Sequence, residues 1–528
     1  MPTAPTDPEA SHSPARSALV LGALVAVATV ANLNLAVANV ALPDIGLHFE
    51  SSQTVLNLIS VGFSLGLAGT VLYLGAVGDR YGRKSMLAMG MILTIPTSLL
   101  AAWAPSAEVL FVARLLGGVA AGMAYPTTLA LITALWSGPA RTKSIAIWSA
   151  FGGAAVAFAS LIAGWLLTMF WWGSVFVLTV PLAAICLVAA WILVPAHVNE
   201  TTEKVDHLGG VYSIIGIIAL VLAINFAPTA GEGKVALISG GIALVVLAAF
   251  FIRQKQAENP LFDLTIARRR IFWVAATAGL IVFGTLMGAI FVGQQYLQNV
   301  LGYSTLKAGA ATLPAAFAML LVAPQSAKLV ASRGSRFTLL AGYAAVLVSF
   351  VVMLVTWTEN SGLLPVCVAF VFLGIGVGLA GTPASHSLTG SVPVHRAGMA
   401  SGTADLQRDL GGSIMQSILG AILSAGYAAA VATKLGASGQ KVTEQTASLL
   451  ERSYSSAAVF AQKLDPSQQK AVINGARSSF LSGANWAYLS GIFLVLGGAA
   501  LVAFAFPKRN RESELLSSYE AEDAKLNA

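Results

Sequence analysis

The sequence predicts an all-α membrane protein with fourteen transmembrane helices. Two observations point there. Of 528 residues, 56% are hydrophobic and only 10% charged, whereas ordinary soluble domains carry about 25% charged residues. A water-facing surface cannot be built from so few charges, so lipid is the solvent for much of the chain. Apolar runs of about 20 residues, the length that crosses a bilayer, recur along the whole sequence, and most basic residues fall in the short connections between them.

In order, the runs centre near Val27, Leu67, Ile95, Leu116, Val156, Leu182, Ile218, Leu244, Val282, Phe317, Val346, Phe372, Ile418 and Leu494. The seventh and eighth are separated only by Thr229 to Lys234. Met1 to Arg16 is polar and rich in Pro and Ser, so the first run is read as a retained span rather than a signal peptide. An even number of spans puts both termini on one side. The short connections on that side hold Arg80, Arg83 and Lys84, then Arg141 and Lys143, Arg268 to Arg270, and Lys328, Arg333 and Arg336. Basic residues in short loops mark the cytoplasmic face, which predicts both termini inside. This also explains the net charge of +7 without a nucleic-acid partner. The boundaries that follow are an N-terminal tail 1–16, a six-helix unit 17–194, a two-helix insert 208–253, a cytoplasmic linker 254–270, a second six-helix unit 271–506 with an outer insert 431–478, and a tail 507–528. In the outer insert, Ser455 to Arg477 reads as an amphipathic helix broken at Pro466. The linker, with Leu261, Phe262, Leu264 and Ile266 ahead of its arginines, reads as a helix on the inner leaflet or as a plain solvated loop.

The connection between spans two and three is Gly75-Ala-Val-Gly-Asp79-Arg80-Tyr-Gly82-Arg83-Lys84. Its glycines permit close approach, and Asp79 can meet a helix N-terminus or an arginine. It resembles the G-x-x-x-D-R-x-G-R-[KR] loop of the major facilitator superfamily, and a degraded copy, Ser326 to Arg336, follows the tenth span. Four further stretches resemble the fourteen-span drug:proton antiporter branch of that family: Asn39-Val-Ala-Leu-Pro43, Phe170-Trp-Trp-Gly173 through Pro181, Gln295 to Pro314, and Arg396 to Gly412. The resemblance implies two pseudo-symmetric six-helix bundles around a midplane cavity that open in turn to either side. It implies a monomeric multidrug exporter driven by a proton gradient, with no other cofactor. In that comparison Gly75, Asp79, Arg80, Gly82 and Arg83 either form a gating loop or serve orientation alone. The sequence departs from the family pattern where Asn34 stands for an acid, Gly117 for a glutamine, and Ala159-Ser160 for the Gly-Pro of the fifth span.

Within the spans, charge is confined to Arg114, Asp405, Arg408 and Asp409. An acid at mid-bilayer costs about 2.5–3.5 kcal/mol on insertion scales, which makes it a functional candidate. If the thirteenth helix starts near Ala397, Asp405 and Asp409 lie about 12 Å and 18 Å along it. Their i, i+3, i+4 spacing with Arg408 puts all three on one face, where two acids beside one arginine titrate as a coupled set. The trio is either the proton or substrate site, or a structural brace. Arg114 either bonds carbonyls at a domain interface or relays protons. Asn32, Asn34, Tyr125, Gln294, Gln295, Tyr296 and Gln298 either line a substrate cavity or form interhelical hydrogen bonds.

Several chemistries are excluded. Gly376-Val-Gly378-Leu-Ala-Gly381 fits a dinucleotide motif but lies in an apolar run with no strand before it. No P-loop occurs, and the scattered histidines have no metal-ligand spacing. Cys186 and Cys367 sit in apolar runs, so no disulfide framework is implied. Asn199-Glu-Thr201 matches a glycosylation acceptor by chance, on the cytoplasmic side. The chain is therefore expected to be no enzyme. Its expected partners are small hydrophobic or lipid substrates and membrane lipids, with lipid export and a non-transporting sensor or scaffold as alternatives.

Overall fold

The computed structural model describes residues 13–526 except 15, 52, 197, 199–203, 229–231 and 439–442. Asp7, Glu9, His12, His197 and the Asn199–Thr201 motif lie outside the described residues. Among the described residues, fourteen helices are long and apolar enough to cross a membrane. They are α1 (Ser17–Phe49), α2 (Gln53–Tyr81), α3 (Arg83–Ala102), α4 (Ala107–Leu135), α5 (Gly138–Met169), α6 (Thr179–Leu193, preceded by the turn Ser174–Val177), α7 (His207–Phe226), α8 (Gly233–Gln256), α9 (Arg270–Asn299), α10 (Leu313–Arg333), α11 (Ser335–Thr356), α12 (Leu363–Gly390), α13 (Ala397–Ser438) and α14 (Pro466–Ala505). A further helix, α15 (Arg509–Leu526), follows. Internal prolines at 96, 126, 324 and 383 do not end their helices; neighbouring helices at membrane depth tolerate the lost hydrogen bond.

The first six spans pack chiefly on one another, as do α9 to α14. The two groups meet where α5 packs on α10 and α12, and where α13 packs on α2 and α4. The pair α7 and α8 leans on α2, and α7 also reaches α13, where Ser417 donates to the Ile224 carbonyl at 2.8 Å. Lipid-facing positions are bare apolar side chains: Leu244 is 74% exposed and Phe504 85%. We call the end carrying Asp79 and Arg83 the basic end, and the end carrying the α13–α14 connection the insert end.

Four expectations are corrected. The insert is shorter than 431–478, because α13 and α14 have 42 and 40 residues, about 60 Å each at 1.5 Å per residue, and project well beyond a bilayer. Between them lie short helices at Glu444–Arg452 and Tyr454–Ala461. The expected break at Pro466 falls just before it; proline suits the first turn of a helix, and α14 starts there. The linker is neither a leaflet helix nor a plain solvated loop. Between α8 and α9 only Leu264–Ala267 is helical, and Leu261 and Ile266 are buried in protein. The Gln254 side-chain carbonyl accepts from Phe262 N at 3.0 Å and Asp263 caps the turn, so the apolar side chains face inward. Lastly, the C-terminal tail holds the helix α15, which packs back on the basic end through Leu515, Leu516 and Tyr519.

Candidate functional site

A cavity of about 590 Å³ lies between the two groups of helices. It is lined by α1, α2, α4 and α5 on one side and by α9 and α13 on the other, with Asn225 from α7. It runs from Tyr125 and Arg408 up to Ser455 on the insert. Asn32, Tyr125, Gln294, Gln295 and Gln298 line it, among apolar walls that include Leu286, Met287 and Phe291. Asn34 and Tyr296 do not. Asn34 is buried and reaches Ser98 at 3.5 Å; Tyr296 is fully buried, stacks on Trp357 at 4.7 Å and donates to the Thr358 carbonyl. Both positions read as polar groups in spans, and only packing shows that they point into their own half.

The charged trio is not the paired set that its spacing suggests. Arg408 and Asp409 line the cavity, whereas Asp405 is 1% exposed and does not. Arg408 gives its hydrogen bonds to neither acid. It donates to the Tyr125 hydroxyl and, at 3.3 Å, to Ser149, with its guanidinium over Trp148 at 4.4 Å and Phe283 at 4.5 Å. Trp148 is held by a 2.8 Å bond to Thr128 and stacks on Tyr125. Neither Asp405 oxygen, nor Asp409 Oδ2, has a hydrogen-bond partner. An uncompensated buried carboxylate is expensive, so an ionised Asp405 needs Arg408 or water to move in.

Trp148, Ser149 and Phe283 were not legible as site residues, since aromatics in apolar runs read as core. Ser413 and Gln416 could have been found: with Asp409 they follow i, i+4, i+7 on α13, and all three line the cavity. Arg114 lies elsewhere, 2% exposed, donating to the Asn34 and Leu35 carbonyls at 2.7 and 3.5 Å. Its ring neighbours are Phe63 at 4.9 Å and Phe176 at 5.8 Å. It bonds carbonyls, but inside the first six spans rather than at the interface between halves.

The basic end is sealed below this cavity. Gly75 and Gly398 bring α2 and α13 so close that a Cβ on Gly75 would lie 2.9 Å from the Gly398 carbonyl oxygen. Asp79 meets both partners that its type allows: Oδ2 accepts from Gly398 N at 2.7 Å, at the start of α13, and Oδ1 accepts from Arg83 Nε at 2.9 Å. Arg83, 1% exposed, also donates to the Val198 and Val394 carbonyls at 3.1 and 2.8 Å. Gly82 takes φ 112° to start α3, and Arg80 lies 5.8 Å from the Tyr81 ring.

A sequence model described as Major Facilitator Superfamily matches residues 24–416. The chain belongs to the major facilitator superfamily. Among curated relatives of this facilitator, the multidrug efflux pump LfrA of Mycolicibacterium smegmatis is 31% identical over 94% of this chain and 98% of its own length. The methyl viologen resistance protein SmvA of Salmonella typhimurium is 29% identical over 94% of this chain and 99% of its own length. Among solved structures, a bacterial homolog of the human lysosomal transporter Spinster, inward-facing and unoccupied, matches 95% of this chain and 98% of its own with TM-score 0.54 at 17% identity. The human organic anion transporter MFSD10 matches 90% of this chain and 97% of its own with TM-score 0.53 at 13% identity; at such identities the likeness shows the fold alone. The facilitator is a multi-pass membrane transporter, not an enzyme.

A second clasp crosses the basic end. Arg396, just before α13, pairs with Asp263 of the linker at 3.2 Å. Burial raises the Asp263 carboxyl, but bonds from Thr265 and Ile266 and the charge of Arg396 outweigh it and hold the group below its ordinary value. A lowered folded pKa gives stability that is present above the unfolded value of about 3.9 and lost as pH falls through the folded one. Asp263→Asn is thus expected to cost about 1 kcal/mol or less at neutral pH. Thermal melts of wild type and variant should converge as the buffer is taken below pH 4.

Proposed function

We propose that this transporter exports hydrophobic or amphipathic compounds from the cell by proton antiport, with its basic end in the cytoplasm. The observation that carries the reading is the cavity between the halves, with Asp409 and Arg408 at its floor and aromatic and aliphatic walls above. The names of the curated relatives, a multidrug efflux pump and a methyl viologen resistance protein, point the same way. The positive-inside pattern of the short loops supports the orientation. An exporter whose halves meet at the basic end, with its cavity running toward the insert, is in its release state. Asp409 there faces the space that protons enter from outside, with Asp405 one turn deeper on the same helix. Cargo loaded from the cytoplasm after the basic end opens, and protons carried inward on these acids, would share one site in alternation.

Reconstituted protein should move a lipophilic dye when a pH gradient is imposed and lose net transport when a protonophore collapses the gradient. Dye flux that ignores the gradient in sealed vesicles overturns the antiport reading. Tyr125→Phe removes the hydroxyl to which Arg408 donates. A bond to a charged group contributes about 1.5–3 kcal/mol, but Ser149 still holds the guanidinium, so we expect a loss of up to about tenfold in dye flux at low dye concentration, read from initial rates.

A further inference from the structure

The pair α7 and α8 belongs to neither six-helix group, yet it reaches the cavity. Toward the basic end α2 and α13 touch, Gly75 against Gly398 and Gly402 against Val71 and Leu72. About two to three turns nearer the insert end, Ser60, Val61 and Ser64 of α2 and Gly412, Ser413 and Gln416 of α13 line the cavity instead. The helix beside this opening is α7. A Cβ on Gly69 would lie 2.7 Å from the Ile218 side chain, and one on Gly210 would overlap the Tyr73 ring, so α2 and α7 pack closely. Tyr73 and His207 share a hydrogen bond of 2.8 Å. On the other flank, Ser417 of α13 donates to the Ile224 carbonyl at 2.8 Å, and Leu406 and Leu410 pack on the apolar cluster shared by α2 and α7. Helix α7 is thus joined to both halves by hydrogen bonds and packing, and Asn225, next to Ile224, lines the cavity.

The chemistry of this wall differs from that of the floor. Asn225 shares it with Asn39, Ser60, Ser64, Ser413 and Gln416, all uncharged and all lining the cavity. Ser60 donates to the Asn39 side-chain oxygen at 2.6 Å, and Asn225 Nδ2 donates to the Val221 carbonyl of its own helix at 2.9 Å. Among the described residues, the charged side chains lining the cavity are Arg408 and Asp409, at its floor. Ser413 and Gln416 follow Asp409 on α13, which places them about 6 and 10 Å farther along the helix. Amides and hydroxyls both donate and accept, so they suit neutral groups that do the same. A cargo that displaces water from such a wall without replacing its hydrogen bonds loses affinity.

We propose that α7 is a wall of the transport cavity, and that Asn225, with Ser64 and Gln416 beside it, forms a second subsite for neutral hydrogen-bonding groups of the cargo, such as an amide, a hydroxyl or an aromatic amine. The subsite deepens the transport reading above and rests on it for the cargo; the wall does not. The wall is tested in full-length protein in nanodiscs with Cys186 and Cys367 replaced. Asn225→Cys should react with a charged, membrane-impermeant thiol reagent faster than Leu237→Cys. Leu237 of α8 is 78% exposed on the outer surface and lies at a similar depth, since Gly240 faces Ala223 across the pair. Equal or slower labelling of Asn225→Cys overturns the proposal. For the subsite, calorimetric titrations compare ethidium, a cation that carries aromatic amines, with tetraphenylphosphonium, a cation with no hydrogen-bonding group. Asn225→Leu should weaken ethidium binding about tenfold relative to tetraphenylphosphonium, and Asn225→Gln, which keeps the amide, should recover most of that difference. An equal fall for both probes, or none for either, overturns the subsite while leaving the transport reading in place. Wild type that binds neither probe counts against the transport reading, and the labelling, which needs no cargo and no gradient, still decides whether α7 walls the cavity.

Discussion

Asp409→Asn should reduce gradient-driven dye export to the level of empty vesicles while leaving the protein folded and able to bind dye. Asparagine keeps the size and one acceptor oxygen of aspartate but cannot take up and release a proton. Asp409 lines the cavity, one of its oxygens has no partner, and Arg408 is engaged elsewhere with Tyr125 and Ser149. Removing its charge therefore breaks no ion pair, and the thermal melting point is expected to hold or rise. Asp405→Asn should have the same effect on coupling, since both its oxygens are buried without partners. The informative comparison is net transport against exchange. Dye counterflow between vesicle interior and bath, with no gradient, should survive in a coupling mutant. Variants that still concentrate dye against its gradient when a pH difference is imposed would remove these acids from the coupling step.

Gly398→Val is expected to stop export by a different route. A Cβ at position 398 would sit 2.4 Å from Asp79 Oδ2 and 2.5 Å from the Gly75 carbonyl oxygen. The second contact is to backbone, which no rotamer change relieves, and the first breaks the bond from Gly398 N to Asp79. Overpacking of this kind costs about 1–3 kcal/mol, and each 1.4 kcal/mol is about tenfold in a population. The cost falls on the state with a closed basic end and not on one in which α2 and α13 part there. The variant should therefore dwell with its basic end open. Spin labels at the exposed positions Lys143 of α5 and Lys328 of α10, one in each half at the basic end, should lie farther apart than in wild type, with dye export reduced about tenfold or more. A wild-type distance distribution in this variant would show that the glycine contact is not the seal.

The sequence was enough for the fourteen helices, because lipid imposes one rule that every span obeys alone: about 20 apolar residues with internal backbone bonds. It was also enough for the gating loop, where one short motif holds its donors, acceptors and glycines within a few residues. Composition placed Asp405, Arg408 and Asp409 as the rare charges at membrane depth. Spacing on one helix could not say which way each side chain turns once a neighbouring helix arrives. Only the packed structure decided that Arg408 reaches across to Tyr125 and Trp148 rather than to its own helix neighbours, and that Asp405 is buried while Asp409 meets the cavity. It likewise removed Asn34 and Tyr296 from the cavity and drew Asn225 in from the two-helix pair. The hydrogen bond from Ser335 N to the Glu512 carboxylate joins residues 177 apart in sequence. No local pattern encodes such a pair, since burial of a carboxylate is set by whatever surface the helix lands on.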